Sequence, residues 1–304
     1  MDSNWTWIAE NAPLLAAYLP LITALLVIVV TLLGVQRLLV ILTRTTGSTP
    51  PAKNTTRFDK GEHPLSEFDE ELPDESTAPP LHSADTLHIP YCPERLSEAE
   101  MLSRSKAYYE EMNKRRSVRE FSTDPVPLEV IENIVRMAGT SPSGAHCEPW
   151  TFVVVKDSKI KSQIREIVEQ EEYTNYDRRM GDKWVSDLKF LNTDHDKQYL
   201  EEAPYLIIVM KQQYHLGDNG VRYSHYYYEI STAIAAGFLL TAIHNAGLVT
   251  VTTTPLNAGG ALRDLLGRPA NEKVMLLLPV GYPAGDAKVP GVTRKPLEEI
   301  MALK

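Results

Sequence analysis

The chain has 304 residues, with 31 Lys and Arg against 40 Asp and Glu, and a formal net charge of −9. That balance excludes a general nucleic-acid binder, whose footprint is basic, while 43% hydrophobic residues are enough for a sizeable core. The two cysteines, Cys92 and Cys147, exclude a disulfide framework and a Cys-based zinc site.

Residues 1–11 form a short N-terminal tail, and residues 12–42 read as a transmembrane anchor. No residue from 11 to 36 is charged, and 14–35 is almost wholly apolar. A helix of roughly 20 apolar residues spans the hydrocarbon core. A cleaved signal peptide is the competing reading, but Asp2 and Glu10 stand where a signal peptide carries positive charge. Arg37, Arg44, Lys53 and Arg57 follow the span. The positive-inside rule then places the C-terminal side in the cytosol. The expectation is a single-pass protein of the plasma or a vesicle membrane. Residues 43–96 read as a disordered linker, with Pro50, Pro51, Pro79 and Pro80 and acids at 67, 69, 70, 71, 74 and 75. Such a segment buries too little apolar surface to offset its ordering entropy.

Residues 97–304 read as one folded domain. Ser97 and Glu100 match a capping box, which predicts a helix start. Leu128, Ile131, Ile134, Val135 and Ala138 are spaced for a helix over 127–138. The β-branched run 150–155 predicts a buried strand, and 205–210 a second. A long helix is predicted over 221–245, stopped by Gly247. A strand follows over 249–254, then a short helix capped by Asn257, then a last strand over 274–280. Four short strands among long helices predict an α+β domain around one sheet.

Three stretches could carry chemistry. Arg115, Arg116, Ser117, Val118 and Arg119 put three guanidiniums within five residues, and these repel one another unless an anion compensates them. Arginine suits forked phosphate recognition, but it equally suits a solvated helix C-terminus. Residues 140–150 read Thr-Ser-Pro-Ser-Gly-Ala-His-Cys-Glu-Pro-Trp. This small-residue turn admits a flat ligand to its backbone, or simply connects two elements. Thr252, Thr253 and Thr254 end a predicted strand, where hydroxyls can meet a cofactor or only reflect β-propensity. Alone, Arg294 is a surface arginine. No G-x-G-x-x-G, P-loop, His-Glu-x-x-His or G-x-S-x-G pattern is present, and no metal site is expected.

Arg-Arg-Ser-Val-Arg at 115–119, followed by Ser-Pro-Ser-Gly-Ala-His-x-Glu-Pro-Trp at 141–150, resembles the opening of the nitroreductase flavoprotein family. Glu-Glu-Tyr-Thr-Asn-Tyr at 171–176, Arg-Met-Gly at 179–181, 245–257, Leu-Gly-Arg-Pro-Ala at 266–270 and Leu-Pro-Val-Gly-Tyr-Pro at 278–283 narrow the likeness to the iodotyrosine deiodinases. The resemblance covers about residues 97–304. It implies a nitroreductase-like fold, with a central mixed sheet flanked by long helices, in a domain-swapped homodimer. It implies FMN at the subunit interface. Arg115, Arg116, Ser117, Val118, Arg119 and Arg294 would then hold the phosphate and ribityl chain. Pro142, Ser143 and Gly144 would lie along the isoalloxazine. Thr252, Thr253 and Thr254 would meet its other edge, with the Thr254 hydroxyl near N5. Glu172, Tyr176 and Lys197, on a helical lid, would bind the amino-acid end of the substrate, and the Ala145 N–H its phenolate. Thr254 and Ala145 are thus the expected catalytic positions.

The implied reaction is reductive dehalogenation of mono- and diiodotyrosine. Electrons would come ultimately from NADPH through a separate reductase. A broad nitroreductase or quinone reductase is the alternative enzyme reading, and it has no use for Glu172, Tyr176 and Lys197 together. A membrane-tethered flavin or ligand-binding module without catalysis is the third.

Overall fold

The computed structural model describes residues 82, 85–217 and 220–304, all within the compact unit Glu71–Lys304. The expected tail and anchor, and most of the linker, lie outside the described residues. Among the described residues no helix is long and apolar enough to cross a membrane.

Helix α1 (Glu98–Asn113) starts where the capping box predicts, with the Ser97 hydroxyl accepting from the Glu100 N–H at 3.2 Å. The Glu100 carboxylate bonds Arg104 instead of reaching back, so only half of the box forms. No residue of α1 is buried within the chain. Helix α2 (Leu128–Gly139) buries Ile131, Ile134 and Ala138, as their spacing requires.

Strand β1 (Trp150–Val155) leads into α3 (Ser158–Thr174), capped by the Asp157 carboxylate. A π-helical turn (Asn175–Arg179) and α4 (Asp182–Leu188) follow. Next come α5 (Tyr199–Glu202), β2 (Tyr205–Gln212), β3 (Tyr214–Leu216), β4 (Arg222–Ser224) and α6 (Tyr228–Asn245). The chain ends with β5 (Val249–Thr250), α7 (Gly259–Leu265), β6 (Glu272–Gly281) and α8 (Leu297–Ile300).

The main sheet has the order β1-β2-β6-β5, with antiparallel neighbours throughout. Ser117 adds a parallel bridge to Thr250, which makes the sheet mixed. Strand β2 sits centrally, and Leu206 to Met210 are fully buried. Alternate β2 residues point to opposite faces. Leu206, Ile208 and Met210 therefore join Ile164, Leu200 and Leu262 in one core. Ile207 and Val209 join Ile131, Leu239 and Ile243 in the other. Burying each of these side chains contributes about 1.5–3 kcal/mol. The buried Lys161 amine donates to the Glu201 and Ala203 carbonyls at 2.7 Å each, tying α3 to the end of α5.

Three expectations are corrected. The helix predicted over 221–245 begins only at Tyr228, because Arg222–Ser224 pairs with β3. That hairpin is held by side chains on its own faces, with His215 stacked on Tyr223 and Arg222 over the Tyr214 ring. The strand predicted over 249–254 pairs regularly only at Val249–Thr250, and touches β6 again at Thr253. Asn257 does not cap α7, whose N-cap is Ala258. Its backbone is left-handed, at φ 65, and its side chain reaches the lid.

Candidate functional site

The arginine cluster follows α1, where the chain turns to bridge β5 at Ser117. Arg294 crosses from the C-terminal tail. Its Nε donates to Asn113 Oδ1 at 3.1 Å and its Nη2 to the Arg115 carbonyl at 2.9 Å. Arg116 Nη1 donates to the Asn113 and Arg115 carbonyls at 2.8 and 3.0 Å. Both guanidiniums therefore cap the helix end, as one of the two sequence readings allowed. Each still keeps donors for an anion, since a guanidinium carries five N–H groups. Burial lowers the Arg115 pKa, and the like charges of Arg294 and Arg116 lower it further. A phosphate monoester would relieve that repulsion. Val118 is buried beside the cluster, with its N–H bonded to the Thr250 carbonyl at 3.1 Å.

Arg119 behaves differently. Its charge is felt by Tyr176, Lys197 and Tyr199, so it stands at the lid end of the site. The charges acting on Arg115 are those of Arg294 and Arg116.

The small-residue loop has an unusual backbone. Ala145, His146 and Glu148 all have positive φ, at 49, 53 and 45. Such conformations carry strain outside glycine. Two side chains hold them: the Ser143 hydroxyl accepts from the Glu148 N–H at 3.0 Å, and the Ser231 hydroxyl from the Gly144 N–H at 3.3 Å. A Cβ at Gly144 would stand 2.9 Å from the Tyr226 carbonyl oxygen. Pro142 and Ala145 are exposed beside it.

The three threonines divide by strand alternation. Thr253 is paired to Leu277 through its backbone, and its hydroxyl donates to the Leu277 carbonyl at 2.7 Å. Thr252 and Thr254 are exposed on the opposite side. Of the three, Thr252 and Thr254 keep hydroxyls available to a ligand.

The lid brings Glu172, Tyr176 and Lys197 together. Lys197 Nζ stands 3.8 Å from Glu172 Oε2, with both side chains largely buried, and 5.7 Å above the Tyr176 ring. The same amine donates to the Thr193 hydroxyl at 3.3 Å and to the Asp194 carbonyl. The Lys197 N–H is held by Glu169 at 2.7 Å. Burial pushes the Lys197 amine down, opposed by the Glu172 and Asp194 carboxylates and aided by Arg119. Burial and the Glu172 charge push the Tyr176 phenol up. A carboxylate and an ammonium this close suit the two charges of an amino acid.

The nitroreductase family pattern matches residues 112–282. The chain belongs to the nitroreductase family. Within that family it is similar in sequence to iodotyrosine deiodinases. One from Nematostella vectensis is 62% identical over 219 residues, 71% of this chain and 83% of that protein. Iodotyrosine deiodinase 1 from Homo sapiens is 58% identical over 214 residues, 70% of this chain and 74% of that one. A crystal structure of oxidized iodotyrosine deiodinase bound to FMN and 3-iodo-L-tyrosine aligns with a TM-score of 0.54 at 31% identity. It covers 62% of this chain and 96% of that one.

Within this nitroreductase fold, the sequence reading missed Asn175, Arg179 and Asn257. Asn175 is 1% exposed, and its amide bonds Glu172, Arg179, Leu256 and Asn257. A lone asparagine in an acidic helix carries no sequence signal of burial. Asn257 was visible, but was assigned to a helix cap. The buried Tyr199 was also missed, and burial pushes its phenol up strongly.

Proposed function

We propose that this chain is an FMN-dependent iodotyrosine deiodinase, converting mono- and diiodotyrosine to tyrosine and iodide. One observation carries the reading. A largely buried Lys197–Glu172 pair with Tyr176 lies within reach of the charge of Arg119, which belongs to a cluster of arginines whose like charges oppose one another. A broad nitroreductase needs the second feature and has no use for the first.

The donor set fits FMN. Arg115, Arg116 and Arg294 would hold its phosphate, with Ser117 beside them. Gly144 lets the loop that would line the flat ring pack closely on the Tyr226 backbone, and Thr252 and Thr254 offer hydroxyls to an edge. Bound FMN supplies the two electrons that reduction of a carbon–iodine bond requires. The balance is one aryl iodide, two electrons and one proton giving one arene and one iodide; the C–I bond breaks and a C–H bond forms. Glu172 accepts the substrate ammonium and Lys197 donates to its carboxylate. Tyr176 closes over the amino-acid end, and the Ala145 N–H donates to the phenolate. Clamping both ends fixes the ring, which replaces random encounter with a held geometry. Lid closure excludes water.

The active form is a homodimer. The cleft beside Arg115 and Arg116 holds ≈ 210 Å³, below the roughly 300 Å³ at which ligand pockets begin. Helix α1 buries nothing within the chain and exposes Met101, Leu102, Tyr108 and Tyr109. Tyr227 and Ile230 of the α6 segment, and Leu297 and Ile300 of α8, are exposed too. Large apolar side chains left exposed on these helices suit a protein interface. The uncharged run 11–36 anchors the protein in a membrane with the catalytic domain in the cytosol. Electrons reach the flavin from NADPH through a separate reductase.

Purified full-length protein should be yellow, with an FMN spectrum, and should release iodide from 3-iodotyrosine when chemically reduced. Colourless protein would refute flavin binding. Turnover of nitroaromatics without iodide release would favour the broad reductase.

A further inference from the structure

We infer that Asn175 is a positioning residue that couples the amino-acid end of the site to the loop presenting Thr254. The inference rests on the deiodinase reading for the identity of the ligand. Asn175 ends α3 and opens the π-helical turn, whose Met180 N–H closes on the Asn175 carbonyl at 2.7 Å. Isolated π turns insert one residue into a helix and occur often at functional sites. Here the insertion separates Glu172, on the last turn of α3, from Tyr176, and Asn175 stands buried between them.

All four hydrogen-bonding positions of its side-chain amide are used. Nδ2 donates to Glu172 Oε1 at 3.4 Å and to the Leu256 carbonyl at 3.3 Å. Oδ1 accepts from Arg179 Nη1 and from Asn257 Nδ2, each at 3.0 Å. Arg179 in turn donates to Glu171 at 2.7 Å. The partners belong to two separate segments, the lid and the turn at 254–257. That turn is fixed at its other end by the Thr253–Leu277 bridge. Between the two anchors lies Thr254, whose carbonyl accepts from the Leu256 N–H at 2.8 Å. The residue that holds Leu256 also touches the carboxylate assigned to the substrate ammonium.

Asn175 is buried with every position of its amide filled, so breaking one of its bonds leaves a polar atom unpaired in low dielectric and shifts the rest. When Glu172 turns toward an ammonium, its bond to Asn175 is exchanged. The amide then rebalances its hold on Leu256 and Asn257, and the Thr254 hydroxyl is repositioned. Coupling of this kind is reciprocal: a change at Thr254 must alter binding at the ammonium end by the same factor.

The test is a double-mutant cycle in the full-length FMN-bound protein. It is read as the 3-iodotyrosine dissociation constant from quenching of flavin fluorescence. Glu172→Gln and Thr254→Ala are introduced singly and together, with Asn175 present and in an Asn175→Asp background. Asn175→Asp keeps the shape but removes both donors. With Asn175 present, the two substitutions should be non-additive by at least about threefold, and in the Asn175→Asp background they should become additive. Asn257→Gly, which tolerates the left-handed backbone, should abolish the coupling in the same way if Asn175→Asp does not fold. A residue that merely stabilises the fold would lower the melting temperature and leave the coupling intact. Additivity with Asn175 present, or coupling that survives both substitutions, overturns the inference while leaving the deiodinase reading standing. Absence of any quenching by 3-iodotyrosine overturns both.

Discussion

Lys197→Met is the most direct probe of the lid. It keeps most of the buried stem and removes one charge. Lys197 is 6% exposed, and its Nζ stands 3.8 Å from Glu172 Oε2. A charge-assisted hydrogen bond to a substrate carboxylate is worth about 1.5–3 kcal/mol, or roughly 10- to 150-fold in dissociation constant. The assay is flavin-fluorescence quenching by 3-iodotyrosine, with FMN affinity measured separately. The FMN constant should stay within about twofold, since the charges acting on Arg115 are those of Arg294 and Arg116 and not that of Lys197. The pH profile gives a second check. Burial, aided by Arg119, sets the Lys197 pKa below that of a free lysine, despite the opposing Glu172 and Asp194 charges. The bound carboxylate requires the protonated amine. Affinity is therefore full below the lowered pKa and is lost as pH rises through it, earlier than for an ordinary lysine. Lys197→Met should erase that alkaline loss. Equal weakening of FMN and iodotyrosine, or an unchanged pH profile, would refute the assignment.

Thr254→Ala should leave FMN affinity within about threefold and reduce iodide release about tenfold, the worth of one hydrogen bond of roughly 1.4 kcal/mol; unchanged turnover would remove Thr254 from the site. Gly144→Ala should weaken FMN retention and cost about 1–3 kcal/mol of stability, because its Cβ meets the Tyr226 carbonyl oxygen at 2.9 Å; an unchanged melting temperature would show that the loop yields freely. His225 is buried, and its pKa is lowered by burial and by His215 against the Gln212 carbonyl. A lowered folded pKa contributes stability that is present above the unfolded value of about 6.5 and is lost as pH falls. His225→Gln should therefore flatten the decline in melting temperature below about pH 6.5, and an unaltered slope would count against it.

Several elements were written locally. Ser97 announced α1, and the spacing of Ile131, Ile134 and Ala138 announced the buried face of α2. The apolar runs at 150–155 and 205–210 became β1 and the start of β2, because continuous β-branched stretches suit strands covered on both faces. Helix α3 was not read from the sequence, although Asp157 caps it and Ile164 and Val168 are four residues apart on its buried side. The β3–β4 hairpin was missed too. Its residues read as the start of a helix, and what opposes that reading is contact across the pair, His215 stacked on Tyr223 and Arg222 over Tyr214.

The family was legible in contiguous motifs, and so were the arginine cluster at 115–119 and the threonine run at 252–254 as candidates; Glu172, Tyr176 and Lys197 entered only through the resemblance to the deiodinases, because Lys197 stands apart from the motif at 171–176. How these residues are divided was set by the packing. It set Arg119 with Tyr176 and Lys197, and turned the Thr253 hydroxyl to Leu277. It also buried Asn175 between lid and loop, against partners such as Asn257. The reason is physical. Hydrogen bonds between residues some eighty positions apart leave no periodicity in the chain, and whether a polar side chain is a surface group or a buried junction depends on what folds over it.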